Sequence, residues 1–335
     1  MTTTSPSVAS GSGVALPPFP FFVGCGRSGT SLLRAIFDSH HEMNVPYDTH
    51  FILYLADRRP RYEQRDGFAV DAFVDDLASQ YDFKRWVIGI EDIRNDLRAR
   101  PPADYAEAIR RIFQLSATRE GKPRYGNKSP VHVREIGTLG KLFPDARFVH
   151  ILRDGRDVAL SYLNVTFGPS TVEAAALRWK RHVRSGRVEG ARLGPSRYRE
   201  VHYERLLEDP ETVTRDLCTF LEVPFEESML RYYERTAELH AGKDTPNHHR
   251  NLALPPTKGL RDWRQEMAPG DVRIFETIGG ELLTELGYER AFPEITLDAK
   301  LRTGARIASE GFRRGWRMAR GRNRLTGRKR VKGPR

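Results

Sequence analysis

The chain has 335 residues, 39% of them hydrophobic, with a mean hydropathy of −0.57. That length suits one large α/β domain or two small ones around a sizeable core, and no apolar run approaches the roughly 20 residues of a membrane span. The formal charge of +11 is unevenly placed: residues 300–335 hold 14 basic residues against one acid, Glu310, leaving 41 basic and 43 acidic residues in the first 299. The body is thus near neutral, which removes most of the case for a nucleic-acid-binding protein.

Residues 1–19 are rich in Ser, Thr, Gly and Pro, lack a charged segment followed by an apolar one, and read as a flexible leader with no secretory signal. Pro20 to Gly24 (PFFVG) is an apolar run flanked by turn formers, the pattern of a buried strand. Thr30 to Ser39 then places Leu32, Leu33, Ile36 and Phe37 on one helical face. Residues 51–120 are charged and mostly helical in pattern, broken at Pro101-Pro102.

A second β–α unit starts at Ala146, with Arg147 to Leu152 as strand and a helix through Val158, Leu160 and Tyr162. A long helix over Val172 to Leu193, a strand over Tyr198 to Tyr203 and a helix over Glu211 to Leu221 follow. Strands alternating with helices predict an α/β fold: a three-layer sandwich with a central parallel sheet and helices on both faces. Such sheets bind ligands at the carboxyl ends of their strands, where both glycine-containing loops lie. Residues 20–296 read as one domain. From residue 297 to 335, Leu301, Ala305, Ala308, Phe312, Trp316 and Ala319 recur at spacings of three and four between arginines, a basic amphipathic tail. Cys25 and Cys218 are the only cysteines and give neither a disulfide framework nor a zinc spacing, so a reducing cytoplasm is the expected setting.

The segment Gly24-Cys25-Gly26-Arg27-Ser28-Gly29-Thr30-Ser31 nearly fits the phosphate loop G-x-x-x-x-G-K-[ST]. Its glycines let amide groups turn towards an anion, and the next helix points its N-terminus at the same place. Thr30 stands where a nucleotide triphosphatase has lysine, and the cation moves to Arg27, inside the loop. The second motif is Arg153-Asp154-Gly155-Arg156-Asp157-Val158-Ala159-Leu160-Ser161, in which an arginine fork and a hydroxyl eight residues on can converge on one anion.

The stretch FFVGCGRSGTSLLRAIFDSHHEM resembles the 5′-phosphosulfate loop of the sulfotransferases that use 3′-phosphoadenosine-5′-phosphosulfate (PAPS), in the branch shared by bacterial and tyrosylprotein enzymes. The resemblance implies a P-loop-like fold, PAPS as co-substrate, its 3′-phosphoadenosine-5′-phosphate (PAP) as product, and no metal. It assigns Gly26, Arg27, Ser28, Gly29, Thr30 and Ser31 to the 5′ end of the donor and Arg153 and Ser161 to its 3′-phosphate. Val201 to Leu206 with Asp209-Pro210 is similar to the V-x-Y-E-x-L-x-x-D-P segment, placing Tyr203 near adenine, and Lys258-Gly259-Leu260-Arg261-Asp262-Trp263 resembles the late K-G-x-x-x-W segment, adding Lys258 and Gly259, with Arg261 a weaker match. Gly126-Asn127-Lys128-Ser129-Pro130 is similar to the family's lysine segment, so Lys128 joins Arg27 as a cation at the transferred group.

For the base, an ungapped count of 21 residues from Arg27 reaches Asp48, where the closest relatives carry a glutamate; His50 is the alternative, and His132 reads as structural. The reaction implied is in-line sulfuryl transfer to an acceptor hydroxyl. Its competitors are a P-loop nucleotide or small-molecule kinase and a non-enzymatic binding module. A small molecule, carbohydrate, lipid or peptide remains open as acceptor, with residues 51–120 and the loop near 240–257 as its walls. Residues 300–335 could lie on an anionic membrane, making the cytoplasmic enzyme peripheral there, while nucleic acid is disfavoured.

Overall fold

The computed structural model describes residues 17–81, 83, 86, 88–240, 251–255, 262–294, 301 and 303–306. Lys258, Gly259 and Arg261 lie outside these residues, as do most of the leader, of the loop near 240–257 and of the basic tail.

Strand β1 (Phe19–Gly24) leads into helix α1 (Thr30–Asp38), and β2 (Met43–Asn44) into a helical insertion. The insertion carries α2 (Phe51–Ala56), α3 (Arg59–Tyr62), α4 (Val70–Ala78), α5 (Ile90–Ala99) and α6 (Tyr105–Arg119). It also contains a small antiparallel pair, β3 (Glu63–Gln64) and β4 (Gly67–Phe68), which the hydrophobic periodicity does not signal because each strand is two residues long. Strands β5 (Arg124–Tyr125) and β6 (Asn127–Lys128) return the chain to the core, and a 3₁₀ turn at Pro130–Arg134 precedes α7 (Ile136–Leu142). The second β–α unit is β7 (Ala146–Leu152) with α8 (Gly155–Leu163), followed by α9 (Val172–Leu193), β8 (Tyr198–His202), α10 (Tyr203–Glu208), α11 (Pro210–Leu221) and α12 (Tyr232–His240). Helices α13 (Trp263–Glu266) and α14 (Pro269–Glu285) complete the described core.

The main sheet is parallel with order β6-β1-β7-β8, and β2 and β5 form a separate parallel pair. Alternation along β1 explains the layers. Phe19, Phe21 and Val23 face one core with α2, α4, α5 and α6, while Phe22 faces another with α1, α10 and α11. Along β7, Phe148 joins the first core and Val149 and Ile151 the second. A third core, around Trp179 and Phe275, packs α8, α9 and α14. A strand buried on both faces has no polar side, which is why PFFVG reads as a continuous apolar run. Both Gly24 and Leu152 end neighbouring parallel strands, so the two motif loops emerge side by side. Among the described residues no helix is long and apolar enough to cross a membrane.

Candidate active site

The first loop is shaped by two residues in the left-handed region. Gly29 has φ 104° and Arg27 has φ 71°, a conformation that is uncommon and mildly strained for a residue with a side chain. Any Cβ at Gly29 would stand 2.5 Å from Cδ2 of Tyr203, so the loop can rest on that ring only with glycine there. Gly26 similarly packs under the Tyr162 hydroxyl. Helix α1 begins with no side-chain cap, which leaves its first amides available to an anion. Ser28 is buried with an Oγ that has no protein partner, Thr30 is buried, and Ser31 is half-buried at the start of α1.

The second loop meets the first. The Arg153 guanidinium lies 4.4 Å over the Tyr203 ring and donates from Nη1 to the Arg27 carbonyl at 3.3 Å, while its buried Nε has no partner. Arg27 Nε donates to Ser161 Oγ at 3.0 Å. Residues from the two motifs, 126 and 134 positions apart in these two contacts, therefore form one polar surface. Tyr203, expected at the end of a strand, is instead the first residue of α10, because β8 stops at His202. Burial pushes its phenol above the usual range.

Asp154 and Arg156 of the RDGRD motif are structural, a division that spacing alone does not reveal. Asp154 caps α8 by accepting the Arg156 amide at 2.9 Å. Arg156 is fully buried; it pairs with Asp154 at 2.7 Å and Glu276 at 2.6 Å, and its guanidinium lies 3.6 Å over Trp263. Glu204 accepts the Asp154 amide at 3.0 Å and the Tyr288 hydroxyl at 2.9 Å, and so fixes the end of β7 from the side of α10. Asp157 accepts the Trp263 amide at 2.9 Å and stands 3.8 Å from Arg153. Its carboxyl is raised to about 6 by burial, with the Asp154 and Glu204 charges adding to the effect and Arg153 opposing it.

The third part of the site is the segment between β2 and α2. Asp48 forms an ion pair with Lys128, the last residue of β6, which pairs in register with Phe22 of β1. The Lys128 side chain is only 3% exposed whereas that of Asp48 is 37% exposed, so an acceptor can reach the carboxylate from solvent. The residues on either side are also held: Arg34 lies 4.2 Å over the Tyr47 ring, and Asn127 donates to Thr49 Oγ1. His50 is exposed at the start of α2. His132 is fully buried and pushed down to about 3, first by burial and then by His50, so it is a neutral packing residue as expected. Among the described residues one trio has the spacing of a metal site, His40, His41 and Glu226. The His40 ring is already engaged, with Nδ1 accepting the Glu42 amide at 3.0 Å and Nε2 at 2.9 Å from the Pro224 carbonyl.

Residues 18–227 match a family model described as "Sulfotransferase family". The chain belongs to the sulfotransferase family. A putative protein-tyrosine sulfotransferase of Caenorhabditis briggsae is 23% identical over 281 residues, covering 80% of this chain and 88% of that one. The protein-tyrosine sulfotransferase of Drosophila melanogaster is 26% identical over 222 residues, 65% of this chain but only 40% of the fly protein. The sulfotransferase domain of the Synechococcus PCC 7002 olefin synthase has the same fold, with a TM-score of 0.57 over 81% of this chain and 95% of that domain at 22% identity. The chain is thus an enzyme of sulfuryl transfer, and the kinase reading is not favoured. The buried, unpartnered Ser28 Oγ and Arg153 Nε are donors suited to a ligand carrying an anion at each end.

Proposed function

We propose that this sulfotransferase holds PAPS across the two joined loops and sulfates a hydroxyl of a peptide or protein, tyrosine being the first acceptor to test. The observation that carries the donor assignment is the Arg27–Ser161 and Arg153–Arg27 bridging, which supports a single ligand spanning both loops. Gly26, Ser28, Gly29, Thr30 and Ser31 supply amide and hydroxyl donors at the 5′ end. Arg153 and Ser161 hold the 3′-phosphate through a guanidinium fork and a hydroxyl. Tyr203 offers an aromatic surface between them. The peptide acceptor is supported by the names of the relatives, which cover most of the described core.

PAPS supplies the sulfuryl group and a phosphate that leaves without needing a proton. Arg27 and Lys128 offset the charge that develops on the transferred group and the bridging oxygen. Asp48 takes the acceptor proton; Lys128 occupies its Oδ1 side, so the half-exposed carboxylate is held in place while remaining open to solvent. Asp48 in place of glutamate shortens the reach by one methylene, and the clamps on Tyr47 and Thr49 fix where the shorter base stands. Two buried, unpaired cysteines support a cytoplasmic enzyme, which we propose as its location.

The test is calorimetric titration with PAP, AMP and magnesium-free ATP, followed by transfer from radiolabelled PAPS to an acidic tyrosine peptide. Preference for PAP that is lost in Arg153→Ala supports the donor assignment. Equal binding of all three nucleotides would overturn it, and labelling of a carbohydrate or lipid in place of the peptide would move the acceptor class.

A further inference from the structure

Beside Arg153 stands a carboxylate that the donor-binding roles assigned above leave unused. Asp157 Oδ2 is 3.8 Å from Arg153 Nη2, beyond hydrogen-bond reach, and both side chains are largely buried. Oδ1 takes the Trp263 amide at 2.9 Å, which fixes the carboxyl in place and leaves Oδ2 turned towards the guanidinium.

A doubly charged phosphate drawn to Arg153 would meet this carboxylate at short range in a desolvated site. Like charges so placed cannot both stay ionised cheaply. The groups around Asp157 decide which charge is given up. Asp154 is covered by Arg156 and by the Trp263 indole N–H at 3.1 Å. Glu204 is held by the Asp154 amide and the Tyr288 hydroxyl. Arg153 is needed by the phosphate. Asp157, raised to about 6 before any ligand arrives and with Oδ2 turned towards the guanidinium, is the acid placed to take up a proton.

We infer that Asp157 is a third member of the 3′-phosphate site and enters the complex as the neutral carboxylic acid, so that donor binding draws one proton from solution. The proton goes to Oδ2, and the resulting O–H donates to a phosphate oxygen while Arg153 pairs with the same group. This deepens the donor assignment and rests on it.

Two consequences separate the inference from simple charge attraction. Proton uptake on PAP binding at neutral pH is close to one in the native enzyme, and affinity falls about tenfold per pH unit above neutrality. Asp157→Asn keeps the acceptor for the Trp263 amide, donates permanently to the phosphate, and is expected to remove both effects. The experiment is titration calorimetry with PAP and AMP near pH 7 and pH 8, each in two buffers of different ionisation enthalpy. Native uptake with PAP but not AMP, abolished in D157N together with about 100-fold tighter PAP binding near pH 8, supports the inference. Equal uptake in both proteins, or weaker PAP binding by folded D157N, overturns it. Should D157N fail to fold, the native enzyme still decides: its PAP-bound minus free infrared spectrum near pH 8 must contain the carbonyl band of a protonated carboxylic acid, and absence of that band refutes the role. Failure of PAP to bind better than AMP would instead reject the 3′-phosphate site itself.

Discussion

Replacing Arg156 with leucine tests whether the buried network behind the second motif loop holds the fold together. Arg156 has no exposed surface, and neither does Glu276. Its guanidinium makes contacts of 2.6 Å to Glu276, 2.7 and 3.0 Å to Asp154, and 2.7 Å to the Glu289 carbonyl. Leucine preserves much of the packing but removes the cation that two core carboxylates share, leaving Arg290 Nε, 3.9 Å away, as the cation paired with Glu276. Breaking a buried ion pair by removing one partner costs roughly 3–5 kcal/mol. The Ala291 and Phe292 amides still donate to Glu276, and the Trp263 indole to Asp154, so the lower half of that range is expected. For a chain of this size the melting temperature should fall by about 4–6 °C. Urea unfolding followed by circular dichroism measures the free energy directly. The triple variant R156L/D154N/E276Q should recover much of the loss, because it removes the stranded charges together. An R156L protein within about 1 kcal/mol of wild type would refute the reasoning, since the charges would then have found water or protons at little cost.

Gly29→Ala forces a side chain onto a φ of 104° and against the Tyr203 ring at 2.5 Å; PAP affinity should drop at least about 100-fold with roughly 1–3 kcal/mol of destabilisation, and calorimetry showing near-native affinity would count against the loop assignment. Asp48→Asn should lower turnover by about 10²–10⁴-fold while PAP affinity is kept, a split that steady-state kinetics and PAP titration together resolve. Acid should destabilise the fold early: burial holds His132 and His150 at about 3 and His182 at about 4, so each is neutral in the folded protein but protonates at about pH 6.5 when unfolded. Their stabilisation is complete above pH 6.5 and is lost as pH falls towards 4 and then 3, each contributing up to about 1.4 kcal/mol per pH unit. Asp157, raised in the folded state, acts in the opposite direction below pH 6, so urea midpoints should fall with acid less steeply than three histidines alone imply; a flat profile from pH 7 to 5 would exclude their neutral burial.

The parts legible in the sequence are those in which chemistry and local geometry coincide. The phosphate loop needs a strand, a left-handed turn and a helix start in immediate succession, and all three leave marks within a dozen residues. Helix α9 runs from Val172 to Leu193, as its periodicity and the Thr171 cap dictate. Asp48 and Lys128 were each reachable from motif spacing, but their ion pair joins residues 80 positions apart and is a product of β6 lying beside β1. Arg156 and Glu276 are 120 positions apart, and nothing near Glu276 marks it as a buried acid. Likewise Glu204, adjacent to the aromatic Tyr203 that draws notice, shows its bracing role only once the Asp154 amide is brought to it. Short elements such as the β3–β4 pair fail for a different reason: two residues have no periodicity to read.

The division of labour within RDGRD connects fold stability to donor choice. Arg153 is the proposed phosphate ligand, while Asp154, the next residue, is held by Arg156, Glu204 and Trp263 from three separate elements. An arginine aimed at a phosphate contributes most when it is already in place, because the cost of ordering it has been met in folding. The Tyr203 ring beneath its guanidinium and the Trp179 indole N–H on its carbonyl, 3.1 Å away, restrict both ends of the same residue. Discrimination between PAP and AMP should therefore depend on residues that never touch the nucleotide. Loss of Glu204 or Trp179 would weaken PAP far more than AMP, whereas a change confined to the 5′ loop, such as Ser28→Ala, would weaken both alike.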